Sequence, residues 1–177
     1  SGSSVSFGNA NQTGSLITAG HITATGDITT NNPVELTSDV TFRAANIQLN
    51  DTVDQAVGAA SSNFSVSATG LTEVFGDIGF GTGPLQSVTF DNGGTTELSA
   101  NLSTFGNTQT FNDAVVLRTD VLIRDTGSTG VFFNNTVDAD GTPRDLTVRT
   151  TNNNPDIVFE QAVGTNPLDE LVIENEG

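Results

Sequence analysis

The sequence predicts an all-β protein wound as a parallel β-solenoid, and two observations carry the prediction. The first is a pattern of short runs in which apolar and polar residues alternate, such as Val34-x-Leu36 and Val88-x-Phe90. Alternation over so few residues is typical of half-buried strands, and clusters of Asn, Asp, Gly and Pro end each run. The second observation is a repeat, because the chain resembles itself at a step of 83 residues.

The repeat divides the chain into two units and the start of a third. The segment VSF at residues 5–7 returns as VTF at residues 88–90 and as LVI at residues 171–173. Units that repeat end to end stack on their neighbours and build elongated structures. We therefore expect one continuous solenoid, divided as follows: residues 5–87, residues 88–170, and residues 171–177 as the start of a third unit.

Two architectures accommodate strands this short. In a solenoid of about 21 residues per coil, four coils fill one 83-residue unit, and one inward row contains Phe90, Phe111, Phe133, Phe159 and Ile173. The alternative is a tandem of two antiparallel β-sandwich domains, since about eight strands in 83 residues also suit such a domain. The apolar rhythm continues without a break between the two units, and the chain contains no Trp. Both features favour the solenoid.

The composition limits the functions that the chain can perform. Its 21 acidic residues outnumber five cationic ones, all of them Arg, and the net charge is −16. This balance argues against nucleic acid and anionic membrane surfaces as partners, since both attract cationic proteins. No apolar stretch approaches the roughly 18 residues of a membrane span, so we expect no membrane insertion. Cys and Met are absent, which excludes thiol chemistry and suits exposure to oxidants.

Five segments of the second unit resemble the repeats of large bacterial surface exoproteins of the filamentous-haemagglutinin kind. They are residues 110–117 (TFNDAVVL), 133–138 (FNNTVD), 145–148 (DLTV), 157–164 (IVFEQAVG) and 166–171 (NPLDEL). The resemblance implies a right-handed parallel β-helix, secretion to the extracellular bacterial cell surface, and a role in adhesion or in a surface filament. It also implies surface glycans, or the surface of a host or neighbouring cell, as partners.

Few residues suggest catalysis or metal binding. His21 is the only histidine, and its segment has no histidine in the second unit, so we expect it to be a solvated turn residue. Asp138-x-Asp140-Gly141 resembles the start of a calcium loop, although the later ligands are missing. We therefore expect no cofactor other than a possible calcium ion at Asp138 and Asp140. We expect no enzyme, and the alternative function is a β-helix that binds or cleaves polysaccharide.

The sequence also predicts where the chain contacts other copies of itself. Val116, Leu122 and Phe132 replace the outward-facing Glu35, Thr41 and Gln48 of the first unit, which predicts an apolar contact surface for lateral association. Unpaired strand edges at the first and third units predict head-to-tail association into a filament. The residues expected to meet at this junction are Val5, Phe7, Leu171, Val172 and Ile173.

Overall fold

The computed structural model describes residues 3–9, 14–81, 83–91, 93–151 and 155–176, and every regular element in them is a β-strand. No helix in this part of the chain has the length and apolarity needed to cross a membrane. The strands are β1 (Val5–Phe7), β2 (Leu16–Thr23), β3 (Ile28–Thr30), β4 (Val34–Ala44), β5 (Ile47–Leu49), β6 (Val53–Gln55), β7 (Asn63–Ala68), β8 (Leu71–Val74), β9 (Ser87–Phe90), β10 (Thr95–Leu98), β11 (Leu102–Thr104), β12 (Gln109–Phe111), β13 (Ala114–Leu117), β14 (Val121–Asp125), β15 (Val131–Phe133), β16 (Val137–Ala139), β17 (Leu146–Thr151), β18 (Ile157–Phe159) and β19 (Leu171–Glu176).

The strands form the three faces of a β-solenoid of about seven coils. Face 1 has the order β1-β3-β5-β8-β10-β13-β16, and a bridge from Val137 adds Val163. Face 2 begins with residues 16–18 of β2 and 34–36 of β4, continues through β6 and Ile78, and ends with β11, β14, β17 and β19. Face 3 contains the second halves of β2 and β4, then β7, β9, β12, β15 and β18.

The solenoid prediction is confirmed, and the sandwich alternative is wrong. Every strand pair in the described residues is parallel, whereas a sandwich of this kind requires antiparallel neighbours. Coils range from 18 residues, between Leu16 and Val34, to 26 residues, between Val137 and Val163. The right-handed sense stays a prediction of the family resemblance.

The core consists of inward side chains stacked in columns, one strand above another. The column on face 3, here called the aromatic column, contains Ile22, Phe42, Val66, Phe90, Phe111, Phe133 and Phe159. Its last four rings stack nearly parallel, with centroids 5.3, 4.8 and 4.6 Å apart. Burying each such ring contributes roughly 1.5–3 kcal/mol. The four phenylalanines were predicted correctly, but Ile173 was not, because it pairs with Val148 on face 2.

Two further columns run through faces 1 and 2, and each extends from the first described coil to the last. The column on face 1 contains Val5, Ile28, Ile47, Thr72, Thr96, Val115, Val137 and Val163. The column on face 2 contains Leu16, Val34, Val53, Ile78, Leu102, Ile123, Val148 and Ile173.

The 83-residue step of the sequence is not a whole number of coils. Val5 lies on face 1, Val88 on face 3 and Leu171 on face 2. Each step advances the chain by three coils and two further faces, rather than by the four coils that the sequence suggested. Similar segments therefore occupy similar strands, but each copy is rotated by one face around the solenoid axis.

Asn and Asp side chains connect the turns of successive coils. Asn50 donates its side-chain amide to Asn31 Oδ1 over 3.0 Å, and Asn134 makes the equivalent bond to Asn112 over 2.7 Å. Asp77 accepts the main-chain N–H of Asn101 in the next coil at 2.8 Å. The sequence signalled these residues only as strand terminators, yet their side chains also hold one turn above another.

Candidate functional site

The first and last described coils of the solenoid are the first candidate site, because their outer strand edges have no partner among the described residues. Within the described residues, β1 pairs only with β3, β18 only with β15, and β19 only with β17. Such edges present main-chain N–H and C=O groups to any strand that fits them. The ends are therefore chemically competent for strand addition.

Side chains at these ends are inward-facing but incompletely covered. Leu171 and Ile173 are 41% and 47% exposed, whereas Leu146 and Val148, their neighbours in the preceding coil, are fully buried. At the opposite end Val5, Phe7 and Leu16 are only partly buried against the core. An apolar layer with one open side gains free energy when another apolar layer covers it, at about 25 cal/mol per Å².

Five residues predicted to meet at the junction thus lie at the two ends, but their strands belong to different faces. β1 carries Val5 and Phe7 on face 1, and β19 carries Leu171, Val172 and Ile173 on face 2. Val172 points outward between its two inward neighbours. Direct stacking of these two strands would require a rotation of one molecule about the common axis.

The predicted lateral patch of Val116, Leu122 and Phe132 is not a single patch. All three side chains point outward and are partly exposed, as the alternation predicted. However, Val116 lies on face 1, Leu122 on face 2 and Phe132 on face 3. Since the three faces point in different directions, these residues cannot contact one flat partner surface together.

The predicted calcium ligands are engaged in other contacts. Asp138 accepts the main-chain N–H of Asn166 at 2.9 Å. Asp140 accepts bonds from the Arg144 guanidinium at 3.2 and 3.3 Å, and these bonds lower the pKa of Asp140 below its ordinary value. No group of three His, Cys, Asp or Glu side chains in the described residues is arranged to hold a metal ion. Calcium would have to replace the arginine at Asp140.

His21 lies outward and exposed on β2, in an outward column that continues through Thr41 and Ser65 on face 3. The next two side chains in that column, Thr41 and Ser65, therefore both carry hydroxyl groups. This position agrees with a solvated residue, although His21 is in a strand rather than in the turn that the sequence suggested.

Arginine side chains join consecutive coils on the outer surface. Arg118 forms a two-point ion pair with Glu97, with N–O distances of 2.8 and 2.6 Å, and lies 3.8 Å from Asp140. Arg149 forms an ion pair with Glu174 through its Nε atom, between β17 and β19. The pKa of each arginine is raised, first of all by the hydrogen bond to its glutamate.

An open cleft beside the Arg118 ion pair is the second candidate site. It has a volume of about 220 Å³ and is lined by Glu73, Phe75, Glu97, Ser99 and Arg118. Phe75 is 46% exposed, so one apolar ring lies next to carboxylate and guanidinium groups. No sequence pattern predicted this cleft, because its residues come from three coils.

Three carboxylates in the described part of the chain are buried, those of Asp54, Asp113 and Asp125, and the pKa values of Asp113 and Asp54 are raised. Asp113 is 1% exposed and accepts bonds from the N–H groups of Gly93 and Gly94 and from the Thr96 hydroxyl. Asp54 is 5% exposed and accepts the N–H of Gly81 at 2.7 Å. Burial raises the pKa of both carboxyls above the ordinary value of 3.8, although the hydrogen bonds act in the opposite direction. Their bonds to neighbouring turns indicate a structural role.

Comparison of the chain with known protein families, with curated proteins and with solved structures finds no match. The fold and the geometry of the two candidate sites are therefore the basis for the function proposed below.

Proposed function

We propose that this chain is a structural and adhesive segment of a secreted bacterial surface protein, and that it associates end to end into an extracellular filament. The observation that carries the proposal is the pair of open solenoid ends. Three inward columns reach these ends, and their last members are apolar and incompletely covered. A further coil of the same geometry would cover them, and in a solution of this chain a second copy supplies such a coil.

The surface of the solenoid supports an extracellular setting. The net charge of −16 keeps the chain soluble, and it carries neither Cys nor Met. Residues of successive coils are joined by the Arg118–Glu97 and Arg149–Glu174 ion pairs and by Asn side chains in the turns. Such repeated cross-links suit a rod that carries mechanical load. The resemblance to exoprotein repeats favours the same setting.

A matched pair of lysine variants tests the association. Ile173 points inward at the open end, whereas Val172 on the same strand points outward. Ile173→Lys places a charge in the layer that a second copy would cover, a device by which natural strand edges avoid pairing. Val172→Lys adds the same charge to the outer surface and is the control.

Light scattering and electron microscopy of the purified 177-residue chain measure the outcome. We expect filaments for the unmodified chain and for Val172→Lys, and monomers for Ile173→Lys. Because like charges repel, assembly is expected to increase with ionic strength. A chain that stays monomeric at high concentration and high salt would contradict the filament proposal.

Polysaccharide binding is a second candidate function, and the cleft at Phe75 favours it. An exposed ring beside carboxylate and guanidinium groups offers both an apolar surface and hydrogen-bonding groups, as small-molecule sites generally do. Phe75→Ala should weaken binding in a glycan array if this site is used. Phe105→Ala is the control, since Phe105 is also exposed, at 61%, but lies outside the cleft.

A further inference from the structure

We propose that successive copies in the filament are rotated by one face, so that β1 of one copy pairs with β18 of the copy before it. This inference rests on the end-to-end association proposed above and specifies its geometry. It replaces the direct contact between β1 and β19 that the sequence suggested.

The first argument comes from the number of strands on each face. Among the described residues, faces 1 and 2 each hold eight strand positions, whereas face 3 holds seven. The chain visits the faces in the order 1, 2, 3, and the last strand that the structure describes is β19 on face 2. The position that follows on this path is on face 3, directly above β18.

Only one rotation fills all three edges together. If β1 takes the position above β18, residues 16–18 of the incoming copy lie above Val163, and residues 20–23 lie above β19. Every new contact then has the ordinary strand spacing of about 4.8 Å. Two other arrangements are less complete: one without rotation, in which each face of the incoming copy lies above the same face of the first copy, and one in which β1 lies on β19. In both, at least one strand edge is separated from the next strand by an empty strand position.

The main-chain groups of the two edges are complementary in this arrangement. The main-chain N–H of Val5 donates to Asp27 C=O, and the C=O of Phe7 accepts from the N–H of Asn31. The main-chain groups of Val5 and Phe7 are therefore directed at β3, and those of Ser6 are directed at the free edge. At β18, the C=O of Asp156 and the N–H of Glu160 form hydrogen bonds with β15. The main-chain groups of Ile157 and Phe159 are therefore directed at the free edge. Ser6 N–H can then donate to Ile157 C=O, and Phe159 N–H to Ser6 C=O, which is the alternation of a parallel ladder.

Side chains match in the same register. Val5 and Phe7 point inward and would lie above Ile157 and Phe159, so that Phe7 extends the stacked rings of the aromatic column. The internal repeat supports this pairing independently. Residues 5–7 resemble residues 88–90, and Phe90 is itself a member of the aromatic column. A strand of this sequence is thus compatible with a position on face 3, although its own molecule places it on face 1.

Paired cysteine variants test the register, because the chain contains no Cys of its own. The proposal brings Ser6 next to Val158, and His21 next to Val172, all four pointing outward. Partners in adjacent paired strands lie about 4.8 Å apart at Cα, within the range that a disulfide spans. Ser6→Cys with Val158→Cys, and His21→Cys with Val172→Cys, should both give covalent oligomers on oxidation.

The same four positions supply the controls when their pairing is exchanged. Ser6→Cys with Val172→Cys tests direct stacking of β1 on β19. His21→Cys with Val158→Cys is the negative control, because even continuation without rotation would leave these two positions two strand spacings apart. We expect both exchanged pairs to remain monomeric on a denaturing gel without reductant. The two members of each pair lie at opposite ends of one molecule, roughly 30 Å apart at the strand spacing, so every disulfide reports a junction between molecules.

A substitution at Ser6 tests the junction in another way. Ser6→Pro removes the N–H that faces the free side, while the bonds from β1 to β3 use Val5 and Phe7. We expect loss of filaments with an unchanged circular dichroism spectrum, whereas Ser6→Thr should still assemble. Cross-linking of an exchanged pair, or filaments in which neither proposed pair cross-links, would overturn the rotated register but leave end-to-end association intact. Absence of any assembly would remove both.

Discussion

Two adjacent threonines on face 1 offer a test of the core within a single column. Thr72 and Thr96 are register partners in β8 and β10, and both are 0% exposed. The Thr96 hydroxyl donates to Asp113 Oδ2 over 3.2 Å, whereas the Thr72 hydroxyl is buried and has no hydrogen-bond partner among the described residues. The same substitution, Thr→Val, therefore removes an unsatisfied group at one position and a hydrogen bond at the other.

The structure gives the two substitutions opposite signs. A hydroxyl buried without a partner costs about 1–3 kcal/mol, so Thr72→Val should raise the free energy of unfolding by about 1 kcal/mol. A hydrogen bond to a charged group contributes roughly 1.5–3 kcal/mol, so Thr96→Val should lower the free energy of unfolding by about that amount. Both residues are β-branched, and strand propensity therefore changes little.

Thermal unfolding followed by circular dichroism measures both effects, in the Ile173→Lys background to avoid unfolding of assemblies. In a chain of this size 1 kcal/mol shifts Tm by about 2–4 °C. We expect Tm to rise for Thr72→Val and to fall for Thr96→Val. Equal losses of Tm in the two variants would show that the Thr72 hydroxyl is satisfied in solution, and the argument from its isolation would fail.

Three further predictions concern single positions. Phe133→Ala removes the ring between Phe111 and Phe159 and should cost about 3–5 kcal/mol of unfolding free energy in denaturant titration, whereas His21→Ala on the outer surface should change it by less than about 0.5 kcal/mol. The raised pKa of Asp113 means that the folded state holds the proton more tightly, so its contribution to stability is complete below pH 3.8 and is lost as pH rises through the folded pKa. Acidification from pH 7 towards pH 4 should therefore stabilise the unmodified chain more than Asp113→Asn, and an identical pH dependence would contradict the burial argument.

The sequence was sufficient to predict the class of fold and most of the core. Alternation decides which side chains point inward, and the inward residues Val34, Leu36, Val40 and Phe42 are all at most 2% exposed. The assignment of strands to faces was not predictable in the same way. It depends on turn lengths that vary between coils, and alternation has the same period on every face. For this reason Ile173 was placed in the wrong column.

The candidate sites were harder to predict from the sequence than the core. The outward positions of Val116, Leu122 and Phe132 followed from alternation, but their separation onto three faces required the path of the chain. The repeat predicted unpaired edges in the first and third units, but the face on which each edge lies depends on the path of the chain, which no local pattern encodes. The cleft at Phe75 combines three coils, so only the stacking of those coils brings its residues together.

The repeat advances the chain by a number of coils that is not whole, and this determines the direction in which equivalent outward residues point. Each 83-residue unit ends two-thirds of the way around a coil, so an outward residue and its counterpart in the following unit point in directions about a third of a turn apart. In a solenoid built of such units without interruption, three units would complete eleven coils, or about 53 Å at the strand spacing, before the original direction returned. A binding group present once per unit would thus trace a shallow spiral around the rod. On an uninterrupted solenoid of this kind, such a group would face every direction around the axis.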